Sequence, residues 1–281
     1  MKELEFLRGI AILAVIAIHT TGGFATMPLS MLSFSLLSIN TISHFAVPLF
    51  LFISGFSLSI KYFDKIDLKE FYKKRFFRIV PAYILFMILY IYYFEGIGSI
   101  LNTTTITRLY SFSYPFHFWF FRVLIEFYLF YPILTLIYQR LGTIVVPISV
   151  LFSIINVVYP ANFDLIAYLP CVYLGLYLNR EDPDIDLRYI LPLCIVLAVA
   201  LIYVEFYKYY DVIKISTTLL YYSDMITWGL FNLSAIILLF AVSFKIKNAY
   251  AMVLSELGRA SFGIYLVHVY WIDMLYKSLG I

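Results

Sequence analysis

Two sets of ionisable residues in this sequence are spaced so that they could do chemistry. The first is Arg8 and His19, the basic residues of LRGIAILAVIAIH. Eleven positions on a helix is about three turns, so the two side chains share a face and lie ~17 Å apart along the axis. A neutral imidazole at His19 can accept a proton from a hydroxyl near physiological pH, which is general-base chemistry. A histidine hydrogen-bonded across a helix interface for packing is the competing reading. The second set is Lys74, Arg75 and Arg78 in KRFFR. Arg75 and Arg78, three apart, share a helical face, and two guanidiniums so placed can grip phosphates. The same cations also satisfy the positive-inside rule and suit contact with the headgroups of membrane lipids.

Other polar residues interrupt apolar runs, and ionisable groups in such runs are functional hypotheses by default. Ser54 and Gly55, in PLFLFISGF, offer a hydroxyl and a close-packing notch. Arg122 and Glu126 are four apart in HFWFFRVLIEFYLFYP and can pair within one helix. His117 and Trp119 read as markers of an outer interface, as does His44. Asp164 and Asp224 stand where spans begin and read as helix N-caps. His268 lies deep in the last apolar run, with Tyr265 one turn before it on the same face. It is either a packing partner or part of a site. Cys171 and Cys194 both sit in apolar stretches and suit buried thiols better than a disulfide or a metal site. No metal is expected.

The elements that must position these residues are membrane spans. The 281 residues are 63% hydrophobic and 13% charged, which no soluble globular domain matches. About 20 apolar residues cross a bilayer. That rule gives nine segments: 7–27, 38–60, 80–98, 117–138, 142–159, 163–179, 189–207, 223–244 and 255–276. The expected fold is therefore an all-α, polytopic bundle of about nine to ten transmembrane helices. It forms a single domain over residues 1–281. The first apolar run reads as a retained span.

Lys and Arg cluster in alternate loops, above all between Lys61 and Arg78, which predicts a cytoplasmic N terminus. KYFDKIDLKEFYKKRFFRIVPAY then reads as an amphipathic helix lying on the inner membrane surface and feeding the next span at Pro81. The loops 99–116 and 207–222 are rich in hydroxyls and suit a polar acceptor outside, although surface solvation explains the same composition. The net charge of +3 carries no signal for nucleic acid.

In order along the chain, LRGIAILAVIAIH, PLFLFISGF, KRFFRIVPAY, HFWFFRVLIEFYLFYPIL, YLPCVYLGLYL and SFGIYLVH resemble the signatures of the membrane-bound acyltransferase-3 family, whose members O-acylate cell-envelope sugars and related acceptors. The resemblance implies a multi-pass protein of the plasma membrane. The donor would be cytoplasmic acyl-CoA, acetyl-CoA above all. The acceptor would be an extracytoplasmic carbohydrate or lipid-linked glycan. It implies that His19 is the essential histidine, with Arg8 in the same site and Arg75 and Arg78 near the CoA phosphates. Ser54, Trp119, Glu126, Tyr265 and His268 would support substrate. The family often has an acid shortly after this histidine, whereas here the chain reads TTGGFATMPLS. The group orienting the imidazole is left open between Thr20, Thr21 and an acid from another span. A transporter or lipid-handling protein, using His19, Arg122 and Glu126 as a polar pathway, is the alternative.

Overall fold

The computed structural model describes residues 2–23, 27–96, 107, 116–159, 163–210, 217–246 and 249–279. The 99–116 loop lies outside the described residues except for Thr107 and Phe116; of 207–222, residues 207–210 and 217–222 are helical and 211–216 lie outside the described residues. Among those residues there are ten α-helices and no strand. They are α1 (Lys2–Thr21), α2 (Met31–Ser43), α3 (Ala46–Tyr62), α4 (Leu68–Glu95), α5 (Trp119–Leu141), α6 (Val145–Val158), α7 (Leu165–Glu181), α8 (Leu187–Tyr210), α9 (Thr217–Ser243) and α10 (Ala249–Leu279).

Each of the nine expected segments falls on a helix, with two corrections. The segment 38–60 is broken, because α2 ends at Ser43 and α3 starts at Ala46. Pro48 has no N–H to return to the His44 carbonyl, so one bond of the ladder is missing where the two helices part. It resumes where Leu49 N donates to Phe45 O at 2.9 Å. The basic stretch is not a separate surface helix. It is the first part of α4, which starts at an Asp67 cap and continues through Pro81 for 28 residues, ~42 Å. Six helical stretches among the described residues are long and apolar enough to cross a membrane, with α2 and α3 counted as one and α5 and α6 as another.

The direction of each helix follows from its contacts. Tyr276 Oη donates to Thr20 O at 2.9 Å, and Ser255 meets Lys2, so α1 and α10 run parallel. Tyr90 Oη donates to Leu266 O at 3.1 Å and Tyr93 Oη to Asp273 Oδ2 at 3.0 Å, which sets α4 parallel to α10. Tyr72 Oη donates to Leu129 O at 2.9 Å while Tyr83 packs on Phe121, so α5 runs the other way. Asn179 Nδ2 donates to Ser59 Oγ at 2.7 Å, which sets α7 parallel to α3. One end of the bundle thus gathers the starts of α1, α4 and α10 with the finishes of α3, α5 and α7. We call it the arginine end. The opposite end carries the histidines.

Apolar area removed from water does not drive helix association in lipid; close packing does. The tightest joints are glycine pairs. A Cβ on Gly9 would overlap the Leu254 backbone, and one on Gly258 the Glu5 backbone, so these two residues let α1 and α10 touch. Between α3 and α7, a Cβ on Gly55 would lie 2.7 Å from Val172 O and one on Gly175 2.8 Å from Phe56 N. The core between these joints is aromatic, with Phe52, Phe71, Phe118, Phe121, Phe127 and Tyr131 fully buried.

Candidate active site

The site begins at the arginine end, where a cavity of ≈ 360 Å³ opens between α1, α3, α4, α5 and α10. Arg8, Lys61, Arg75, Arg78 and Arg259 line it, and Glu5 is its one carboxylate. Arg8 Nη1 donates to Glu5 at 2.7 Å and Nη2 to Ser57 at 3.4 Å, tying α1 to α3. Arg259 pairs with Glu256. No carboxylate among the described residues pairs with Lys61, Arg75 or Arg78.

Arg75 is held by rings. Its Cζ lies 5.1 Å from the Tyr128 centroid, 5.5 Å from Phe71 and 5.9 Å from Tyr62, distances at which a cation is attracted to an aromatic face. Its Nε is buried and has no hydrogen-bond partner among the described residues. A pre-oriented guanidinium with an unmet donor suits an incoming oxyanion. Arg75 and Arg78, one turn apart on α4, both reach the cavity. Lys74 does not line it; the side chain is exposed and paired with Glu70. One step around the helix from Arg75, it belongs to the neighbouring face. Lys61 and Arg259 take the place in the lining that was expected of Lys74.

Deeper in, Ser54 and Ser57 of α3 and Ser261 of α10 line the middle, and the cavity ends at Phe50, Phe120, Phe121 and Tyr265. Behind Tyr265 stands a cluster of three histidines. The His19 and His268 ring centroids are 5.0 Å apart, His117 and His268 5.1 Å, and His19 and His117 6.4 Å. The Tyr265 ring contacts His268 at 5.5 Å and His117 at 5.8 Å, and its hydroxyl donates to the His117 carbonyl. His268 is buried. Its Nδ1 lies 2.7 Å from Tyr265 O, an acceptor, so Nδ1 carries the proton and Nε2 carries a lone pair. That Nε2 has no hydrogen-bond partner among the described residues.

The expected path from the cations to His19 is thus interrupted. His19 does not line the cavity, and Tyr265 with the Phe120 and Phe121 rings forms a wall one aromatic layer thick. Arg8 belongs to the cavity and His19 to the cluster beyond it, so α1 spans both, as does α10 with Arg259 and His268.

Other sequence expectations move. His117 does not face the surroundings of the bundle; it is 2% exposed, within the cluster. Nothing local in the sequence signals this, because the cluster exists only where α1, α10 and the turn before α5 meet. Trp119 is exposed at the start of α5 and stacks on Tyr168 at 6.4 Å. Glu126 does pair with Arg122, at 3.1 Å, and it also caps α7 by accepting from Leu165 N at 3.0 Å. The N-cap residue Asp164 makes no side-chain cap bond and lies 3.5 Å from Arg122 instead. Glu126 is therefore a joint between α5 and α7 rather than part of the cavity. Asp224 lies inside α9, buried, and binds Lys208 of α8 at 2.9 Å, so it is not a cap. His44 is half-buried at the α2–α3 junction, with Nδ1 2.9 Å from Asn40 O. Cys171 and Cys194 are buried free thiols. Among the described residues no group of three His, Cys, Asp or Glu could hold a metal ion.

Long apolar helices around a cavity lined by five cations define a multi-pass membrane protein. A family model described as an acyltransferase domain matches residues 1–281, and the chain belongs to that acyltransferase-3 family. No curated protein and no solved structure matches it.

Proposed function

We propose that this protein moves an acyl group, acetyl in the simplest case, from cytoplasmic acyl-CoA to a hydroxyl of an extracytoplasmic carbohydrate or lipid-linked glycan. It acts in the plasma membrane, with its N terminus inside. The observation that carries this reading is the pairing of a cavity walled by five cations with a three-histidine cluster one aromatic layer further in. The phosphates of CoA bind at Arg75 and Arg78, with Lys61 and Arg259 beside them. The pantetheine arm, ~20 Å when extended, matches the ~17 Å between the levels of Arg8 and His19 on α1. The acyl group passes Tyr265 to reach the histidines, so the ring of Tyr265 gives way when donor is bound.

His19 then takes the proton of the acceptor hydroxyl as the oxygen attacks the thioester carbonyl. The tetrahedral intermediate collapses by breaking the carbon–sulfur bond. The CoA thiolate leaves with the proton that His19 returns. His268, whose Nε2 is bare and whose ring centroid lies 5.0 Å from that of His19, shares its proton.

His19→Ala and Arg75→Ala separate the two halves of the account. With purified protein and labelled acetyl-CoA, His19→Ala binds donor as the wild type does and transfers nothing. Arg75→Ala binds donor more weakly. Full transfer by His19→Ala removes the imidazole from the mechanism, and unchanged donor affinity in Arg75→Ala returns the arginines to a topological role.

A further inference from the structure

A second cavity, of ≈ 70 Å³, lies between α3, α6, α7 and α9 and shares no lining residue with the first. Its walls are mostly apolar, from Pro48 through Val150, Ile154 and Cys171 to Leu230 and Leu233. Asn232 also lines it, and this amide is anomalous. The residue is 1% exposed, and neither Nδ2 nor Oδ1 has a hydrogen-bond partner among the described residues. A buried amide with nothing to bond to is costly, and native proteins rarely keep one without a ligand or water to satisfy it. Of the other polar side chains on this wall, Ser153 Oγ is engaged, donating to Ala167 O at 3.3 Å, and Tyr168 and Trp228 are aromatic rings packed edge to face at 6.1 Å.

The rim shows where a ligand comes from. Ile154, Ile226 and Leu230 line the cavity and are 43%, 44% and 46% exposed. Such apolar exposure on a membrane-spanning bundle faces acyl chains, so the opening is toward the bilayer. The polar atom that Asn232 selects follows from its two unmet functions. Nδ2 needs an acceptor and Oδ1 a donor, and a single hydroxyl serves both in a small space. An ester carbonyl can only accept, and a carboxylate would bring an uncompensated charge.

We propose that this cavity binds the hydroxyl end of a membrane-dissolved long-chain alcohol, with the hydroxyl on the Asn232 amide and the chain leaving over Ile154, Ile226 and Leu230. The site is independent of the acyltransferase reading, and its test does not measure transfer.

Protein in nanodiscs is exposed to a diazirine-bearing alkan-1-ol and, separately, to the alkane of the same length carrying the same diazirine. Labelled peptides are then mapped. The alcohol labels the 165–173 and 225–233 segments about fivefold more than the alkane, the ratio one hydrogen bond supplies. Asn232→Leu removes that preference. Gly229→Leu fills the cavity and removes labelling of these segments by both probes. A Cβ at Gly229 meets nothing within 4 Å, so this variant keeps the fold if Asn232→Leu does not. Equal labelling by alcohol and alkane in the wild-type protein, or labelling unchanged by Gly229→Leu, overturns the proposal and leaves the amide to water.

Discussion

His19 and His268 sit on different helices with their rings 5.0 Å apart. The neighbour that defines the chemistry of His268 is the Tyr265 carbonyl, which fixes the proton on Nδ1 and leaves Nε2 bare. Asparagine can reproduce the Nδ1 donor, whereas glutamine places a polar atom where Nε2 stands. His268→Asn is therefore expected to lower kcat about 100-fold, the scale of one acid–base group, with KM for donor unchanged. His268→Gln recovers part of the rate. A structural histidine gives no such split, and equal rates in both variants count against the role. Tyr265→Phe removes the bond to the His117 carbonyl and costs about 1 kcal/mol, read as a lower melting temperature. At this scale the sequence was informative where spacing along one helix decides the matter, as for Arg75 with Arg78. It was silent on His117, whose partners lie on α1 and α10, far away in the chain.

The helices hold these residues in place through glycine joints rather than through hydrophobic burial. The α1–α10 contact matters most, because α1 carries Arg8 and His19 while α10 carries Arg259, Tyr265 and His268. Gly258→Leu forces the two helices apart, since even a Cβ there overlaps the Glu5 backbone. The loss is expected to be several kcal/mol, the scale of severe overpacking, with misfolding on expression. Gly263→Ala is the control on the same helix. Its Cβ meets nothing within 4 Å, and alanine is favoured over glycine in a helix by about 1 kcal/mol, so melting temperature should hold or rise. A fall in both variants equal in size would show that packing at Gly258 is not special. The sequence placed these helices well because long apolar runs announce themselves. It missed the break before Pro48, where hydropathy stays high but a backbone hydrogen bond is lost. It also split α4 in two, since a change from basic to apolar composition does not by itself end a helix.

At the scale of the whole molecule, the cations of the first cavity gather at one end of the bundle and the three histidines lie beyond its inner wall. Five cations against one carboxylate around the first cavity make a positive field, which would draw in the anionic donor proposed above. Donor affinity should therefore fall with ionic strength, steeply between about 0.01 and 0.15 M as the screening length shrinks from about 30 to 8 Å. Salt-independent binding measured over that range would mean the cations do not touch the donor. The sequence could supply the arginines and the histidine, but not the aromatic wall between them. Phe120 and Phe121 read as ordinary apolar positions, and Tyr265 as a neighbour of His268 along its own helix, until α5 and α10 bring the three rings together.

The central claim is that a donor held at the arginine end is consumed at the histidine end. Acetyl-CoA binding and acetyl transfer measured side by side on purified wild-type, Arg75→Ala and His19→Ala protein test it most directly. The account predicts weakened binding in Arg75→Ala, and intact binding with no transfer in His19→Ala. Transfer by His19→Ala at the wild-type rate, or wild-type donor affinity in Arg75→Ala, would contradict it.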